Sequence, residues 1–287
     1  MPFTAAGSFR RCALHIVDAA STGSRRGIPR NRARRRAPPV STPGRTIVFD
    51  FDGTVSLGDG PVLRYAHHVA ETLAVDARQG FADAVSAGLG QVGRASGAVD
   101  GYALVQGLAA DHGVPARLLS AAFLASRAEL GGPHAPVRPP AGLASFLRGT
   151  SGRVRRVLVT NSPACRIPEA LAALGLDDAF DEVVTGAGKP AGMDAVLDRV
   201  DPGPAAGLPA ARLLSVGDLW VNDLEPAHAR GFSTALVGPG SSDDARPTFR
   251  AATVADLYDD IDAWLDAVPS SPPAPTSAAP HGKQMHA

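Results

Sequence analysis

Thr46-Ile47-Val48-Phe49 is an uncharged run of β-branched and aromatic residues that stops at the acidic Asp50-Phe51-Asp52-Gly53-Thr54. Such a run reads as a strand buried on both faces of a parallel sheet. For about ninety residues afterwards the β pattern disappears. Asp59-Gly60-Pro61 opens a helix, with Pro at a first-turn position, and Val62, Tyr65, Ala66, Val69 and Leu73 recur at helical spacing. Further helical runs are predicted over 77–89, 98–111 and 115–130, punctuated by Gly113-Val114-Pro115 and ending at Gly131-Gly132-Pro133 and Pro139-Pro140. Strand and helix alternate again from 142. Val154, Val157, Leu158 and Val159 form a strand ending at Thr160-Asn161-Ser162, and a helix over 166–174 closes at Gly175. A strand over 180–185, a helix through Met193, Val196, Leu197 and Val200, strands over 212–216 and 233–237, and a helix over 256–267 complete the order.

Strands alternating with helices predict an α/β fold, a doubly wound parallel sheet with right-handed crossovers. The expected division is a disordered basic leader (1–44), a core in two pieces (45–56 and 142–268), an all-helical insertion (57–141) and a disordered tail (269–287). An insertion leaving directly from the acidic strand end would suit a lid that excludes water and selects substrate. Within it, Arg64, His67 and His68 invite a substrate-binding role, but a solvated helix face beside the apolar stripe is the preferred account of them.

In doubly wound sheets ligands bind outside the carboxyl ends of the strands. The polar residues that follow the predicted strands all lie at such ends: Asp50 and Asp52, Thr160, Lys189, and Asp218 with Asp223. Side chains two apart on a strand share a face, so Asp50 and Asp52 are expected on one side with Phe51 turned away. Carboxylates that close repel unless a cation holds them, and Mg²⁺ suits a few carboxylates completed by water and phosphate oxygens. Lys189 is informative because the only other lysine is Lys283. A chain otherwise reliant on arginine keeps a compact point charge here. Asp218 is the natural third metal carboxylate, and Asp223 suits either a first-turn helix acid or a supporting role behind the metal.

Net charge is zero but uneven: residues 1–44 hold nine arginines against the single acid Asp18. The remainder is correspondingly acidic, which offers no nucleic-acid face. No stretch approaches a membrane span, and the Leu14–Val17 run is too short for a secretory segment. With only Cys12 and Cys165, no disulfide framework is expected, and a reducing cytoplasmic setting fits.

The residues from 45 to about 268 resemble the haloacid dehalogenase-like (HAD) hydrolase superfamily. The resemblance rests on four motifs in order: Asp50-Phe51-Asp52-Gly53-Thr54-Val55, Thr160 after its strand, Lys189 before Pro190, and Gly217-Asp218-Leu219-Trp220-Val221-Asn222-Asp223. The insertion falls where the family carries its C1 cap. The resemblance implies a phosphatase acting on a small phosphorylated metabolite. In that reading Asp50 is the nucleophile that forms an aspartyl-phosphate, and Asp52 is the acid and then the base. Thr160, Asn161 and Lys189 hold the phosphoryl group. Mg²⁺ is held by Asp50, the Asp52 carbonyl and Asp218, with Asp223 supporting the metal shell or Lys189. Glu225-Pro226 departs from the small residue pair of many relatives. Dehalogenases of the family lack the second acid that Asp52 supplies, and phosphonatases need a cap lysine that is missing between 57 and 141. A phosphomutase and a catalytically silent binding protein stay open as alternatives. A receiver-type signalling domain combines similar residues but is much shorter and has no insertion. Oligomeric state is not legible.

Residues 1–44 and 269–287 lack the apolar content to offset the entropy of ordering. A protein trimmed to 45–268 is therefore expected to fold and to keep the turnover of the full chain on a small substrate, measured side by side.

Overall fold

The computed structural model describes residues 44–93, 97–200, 213–238 and 245–267. Six strands pair side by side: β1 (Thr46–Phe49), β2 (Arg155–Val159), β3 (Glu182–Val184), β4 (Leu213–Gly217), β5 (Ser233–Val237) and β6 (Phe249–Ala251). Their order is β3-β2-β1-β4-β5-β6 and every pairing is parallel. β1 is central, with Val48 opposite Val157 on one side and Ser215 on the other. All four of its residues are buried, which explains why the run carries no polar alternation.

Alternate residues of β1 enter opposite layers. Ile47 and Phe49 pack with Leu158, Leu214 and Val216 against helices α5 (Leu143–Gly149), α6 (Ile167–Ala173) and α9 (Tyr258–Asp266). Val48 packs with Val157 and Val159 against α7 (Met193–Val200) and α8 (Glu225–Ala229). Helices thus cover both faces, the doubly wound α/β arrangement that the alternation predicts.

Between β1 and β2 come four helices, α1 (Gly60–Ala70), α2 (Arg78–Leu89), α3 (Gly101–Asp111) and α4 (Ala116–Arg127). They enclose their own apolar cluster, with Tyr65, Val69, Phe81, Val85, Val105 and Ala109 at its centre. The chain enters and leaves this unit through paired linkers. Leu57 N–H donates to the Arg138 carbonyl at 2.8 Å and Arg138 N–H to the Leu57 carbonyl at 3.2 Å. Gly60 is needed beside them, since a Cβ there would lie 2.4 Å from the Pro136 carbonyl oxygen.

Several elements differ from expectation. Helix α5 and strand β6 were not anticipated; at seven and three residues they are too short to show a period. The strand expected over 180–185 shortens to Glu182–Val184 because it is a sheet edge that pairs only with β2. Val154 is buried but precedes β2. The last helix begins as a 3₁₀ turn (Val254–Leu257) set by a capping box, in which Thr253 and Asp256 satisfy each other's backbone N–H groups. The expectation of no disulfide framework involves Cys12, which lies outside the described residues. The expectations of disorder over 1–43 and 269–287 also fall outside the described residues. Among those described, no helix is long and apolar enough to cross a membrane.

Leu158 on β2 is fully buried, whereas Val75 is 80% exposed. Leu158→Ala is expected to lower stability by about 2–5 kcal/mol in denaturant unfolding. Val75→Ala should change it by no more than about 0.5 kcal/mol.

Candidate active site

β1 and β4 are neighbours at the point where the strand order reverses, and there the crossovers diverge and leave a crevice at the carboxyl ends. Asp50 continues β1, its N–H donating to the Val216 carbonyl at 2.9 Å, and Asp218 follows β4 directly. Lys189 reaches them from the loop after β3. Its Nζ donates to Asp50 Oδ1 at 2.6 Å, Asp223 Oδ1 at 2.6 Å and the Val159 carbonyl at 3.0 Å, which uses all three of its protons. The Lys189 backbone is gripped by Asn161, which accepts from its N–H at 2.7 Å and donates to its carbonyl at 3.0 Å. The Asn161 side chain thus sets the lysine loop. Thr160 is buried, and its hydroxyl accepts from Ser162 N–H at 3.0 Å, which leaves its own proton free to donate.

Oxygens of Asp50, Asp218 and Asp223 lie within 4.8 Å of one another. Two glycines make the approach possible. Gly53 has φ +86°, and a Cβ there would sit 2.2 Å from Asp218 Oδ2. A Cβ at Gly217 would sit 2.4 Å from the Asp223 Cβ. Asp223 is positioned by a π-helical turn (Trp220–Leu224), with Leu219 N–H donating to its Oδ2 at 3.0 Å.

Asp52 stands apart from this trio. Arg127, the last residue of α4, donates to both its carboxylate oxygens, at 3.1 and 2.9 Å. The same guanidinium donates to the Tyr102 hydroxyl at 2.6 Å and to Ser162 Oγ, and Ser162 in turn donates to Asp52 at 3.3 Å. Arg127 is fully buried, so the helical unit and the sheet are joined through an ion pair on Asp52. Asp52, Tyr102 and Ser162 border a cavity of about 500 Å³ between strand ends and helices.

The fold of this chain recurs in a solved structure. A structure described as HAD-hydrolase YfnB of Bacillus subtilis, bound to magnesium, superposes with TM-score 0.51 at 18% identity, covering 76% of this chain and 98% of that one. The chain has the haloacid dehalogenase-like fold. Two further structures align at lower TM-scores: an L-2-haloacid dehalogenase from Xanthobacter autotrophicus (0.47, 16% identity, 76% and 98% covered) and a protein described as a β-phosphoglucomutase from Thermotoga maritima (0.46, 17% identity, 76% and 99% covered). No protein-family model matches the chain, and no curated protein matches it.

In this HAD-like crevice Asp50, Asp52, Thr160, Lys189, Asp218 and Asp223 come together. The side-chain trio suited to a cation is Asp50, Asp218 and Asp223; the Asp52 carboxylate belongs to Arg127 instead. Arg64, His67 and His68 are elsewhere, paired with Glu129 and Glu71, and do not border the cavity. Thr54, at the end of the acidic motif, is fully buried. Arg127 and Tyr102 were missed. A signal existed for Arg127: it lies four residues after Phe123, on the apolar stripe of its helix, where a solvated arginine does not belong.

Burial raises the Asp50 carboxyl from 3.8 to about 7, with Lys189 opposing the rise and Asp223 adding to it. Burial, then Asp50 and Asp223, also raise Asp218 well above the ordinary range. Burial alone would lower the Lys189 ammonium, but Asp50 and Asp223 outweigh it and hold it above its usual value. Three carboxylates around one ammonium therefore favour taking up a cation or a proton. Hard oxygen donors at this spacing fit Mg²⁺. Because the folded state raises these acids, the metal-free protein binds more protons than the unfolded chain between about 3.8 and 7, so this contribution to stability is lost as pH rises through that window. A divalent cation taken up there would displace the retained proton. Mg²⁺ affinity, measured by calorimetric titration, is expected to strengthen from pH 6 to pH 8 by up to about tenfold per pH unit. The Asp218→Asn protein should bind weakly at both pH values.

Proposed function

We propose that this chain is a Mg²⁺-dependent phosphatase of small phosphomonoesters that works through an aspartyl-phosphate on Asp50. The observation that carries the proposal is the division of labour between two neighbouring carboxylates. Asp50 faces an ammonium and two further acids, whereas Asp52 is held by a guanidinium outside that group. Paired carboxylates in such different surroundings suit different roles. Thr160 and Lys189 are the groups disposed to hold phosphoryl oxygens. Asp50 and Asp218, with Asp223 in reach, would hold Mg²⁺, the ion described for the B. subtilis neighbour. When bound, it offsets the repulsion between a phosphate dianion and the attacking carboxylate.

In the first half-reaction an Asp50 oxygen forms a bond to phosphorus, the ester P–O bond breaks, and the departing oxygen takes a proton from Asp52. In the second, Asp52 takes a proton from water, the resulting hydroxyl attacks phosphorus, and the bond to Asp50 breaks with release of phosphate. The Arg127 pair suits the carboxylate needed for the second half. For the first, Asp52 must gain a proton and loosen its hold on Arg127. A phosphomutase would have to seat a second phosphoryl group, and among the described residues the helical wall of the cavity offers no free cation for one.

EDTA treatment is expected to abolish phosphate release and Mg²⁺ to restore it. The two acids should fail differently. Asp50→Asn has no competent nucleophile and should give no phosphoenzyme. Asp52→Asn loses the proton donor and base, each worth roughly 10²–10⁴ in rate, yet keeps the nucleophile. With an aryl phosphate, whose leaving group needs little protonation, Asp52→Asn should accumulate an adduct of about 80 Da (one HPO₃ unit) by intact-mass spectrometry. An adduct on Asp50→Asn alone would reverse the two roles.

A further inference from the structure

Beyond the acids, the cavity is walled by the helical unit, which contributes Val62, Leu89, Val92, Val99, Tyr102 and Phe123. Two carboxylates join them: Asp59, just before α1, and Asp100, the N-cap of α3, whose Oδ1 accepts from Ala103 N–H at 2.6 Å. Among the described residues the only lysine or arginine on the cavity lining is Lys189, committed to Asp50 and Asp223. Arg127, the buried cation that the helices send inward, has both its NH₂ groups engaged by Asp52, Ser162 and Tyr102. Arg64 is engaged by Glu129 outside the cavity, and Arg138 is exposed beside Gly58 and not part of the wall.

We infer that this cavity takes the alcohol half of its substrate as an apolar group, neutral or amine-bearing, and rejects a second anion. The inference rests on the phosphatase reading for the phosphoryl end and on the wall chemistry for the rest. The apolar side chains reward burial of hydrocarbon. A carboxylate or second phosphate on the same molecule would lose its water without gaining a cation, and would face Asp59 and Asp100 as like charges. An ammonium in that position would instead meet two carboxylates.

The test uses three non-hydrolysable phosphonates of matched length with the full chain in Mg²⁺: pentylphosphonate, 5-aminopentylphosphonate and 5-carboxypentylphosphonate, with affinities from calorimetry. The carboxylate compound is expected to bind weaker than the pentyl compound by about fivefold or more, and the amine at least as tightly as the pentyl compound. Asparagine also caps helices, so Asp100→Asn should preserve the fold while narrowing the ratio between amine and carboxylate. Carboxylate affinity equal to or above that of the pentyl compound, no binding by any of the three, or a ratio unchanged in both Asp59→Asn and Asp100→Asn would each overturn the inference. Hydrolysis of an aryl phosphate is measured separately. Selective binding without hydrolysis would sink the proposed reaction and leave the cavity's preference standing.

Discussion

The ammonium of Lys189 is the interaction on which the acidic crevice depends. Three carboxylates crowd the ends of β1 and β4, and this cation is what neutralises part of their charge inside a buried site. Two contacts at 2.6 Å and a third to a β2 carbonyl tie the lysine to three separate strand ends. Removing such a group leaves buried charge without a partner, which costs far more than the pair itself contributes. The Asn161 clamp on the Lys189 backbone follows from the same need, since a point charge helps only where it is held.

Glycine is the second condition. Carboxylates from different strands approach so closely only because Gly53 and Gly217 have no Cβ to intervene. At Gly53 a positive φ adds a second requirement in the same direction. The remaining excess of negative charge favours a proton at low pH and suits a divalent cation above it.

Asp52 shows how the helical insertion enters the chemistry without carrying a nucleophile. A buried arginine bound to both its oxygens makes the docking of four helices and the state of one carboxylate parts of the same equilibrium. Among the described residues, the insertion's Arg64 and Arg127 are engaged in ion pairs, and the part of the cavity lining it supplies includes apolar side chains with Asp59 and Asp100.

The sequence by itself determined the alternation of strands and helices, the uncharged run of β1 and the acids at strand ends, because apolar runs and charge placement are local properties of the chain. Asp50, Thr160, Lys189 and Asp218 were legible for the same reason: each follows directly on a strand or its loop. Short elements such as α5 and β6 were not, since their stability comes from the neighbours that cover them and not from their own pattern. Tertiary structure alone decided which carboxylates share a cation. Residues 50 and 52 are only two apart in sequence, yet Asp223 joins Asp50 while Asp52 turns to Arg127, 75 positions away. It also separated Asn161 from Thr160, giving one side chain to the lysine loop and leaving the other's hydroxyl proton free. Partner choice among charges is set by distance and burial, and those exist only once strands, loops and helices have come together.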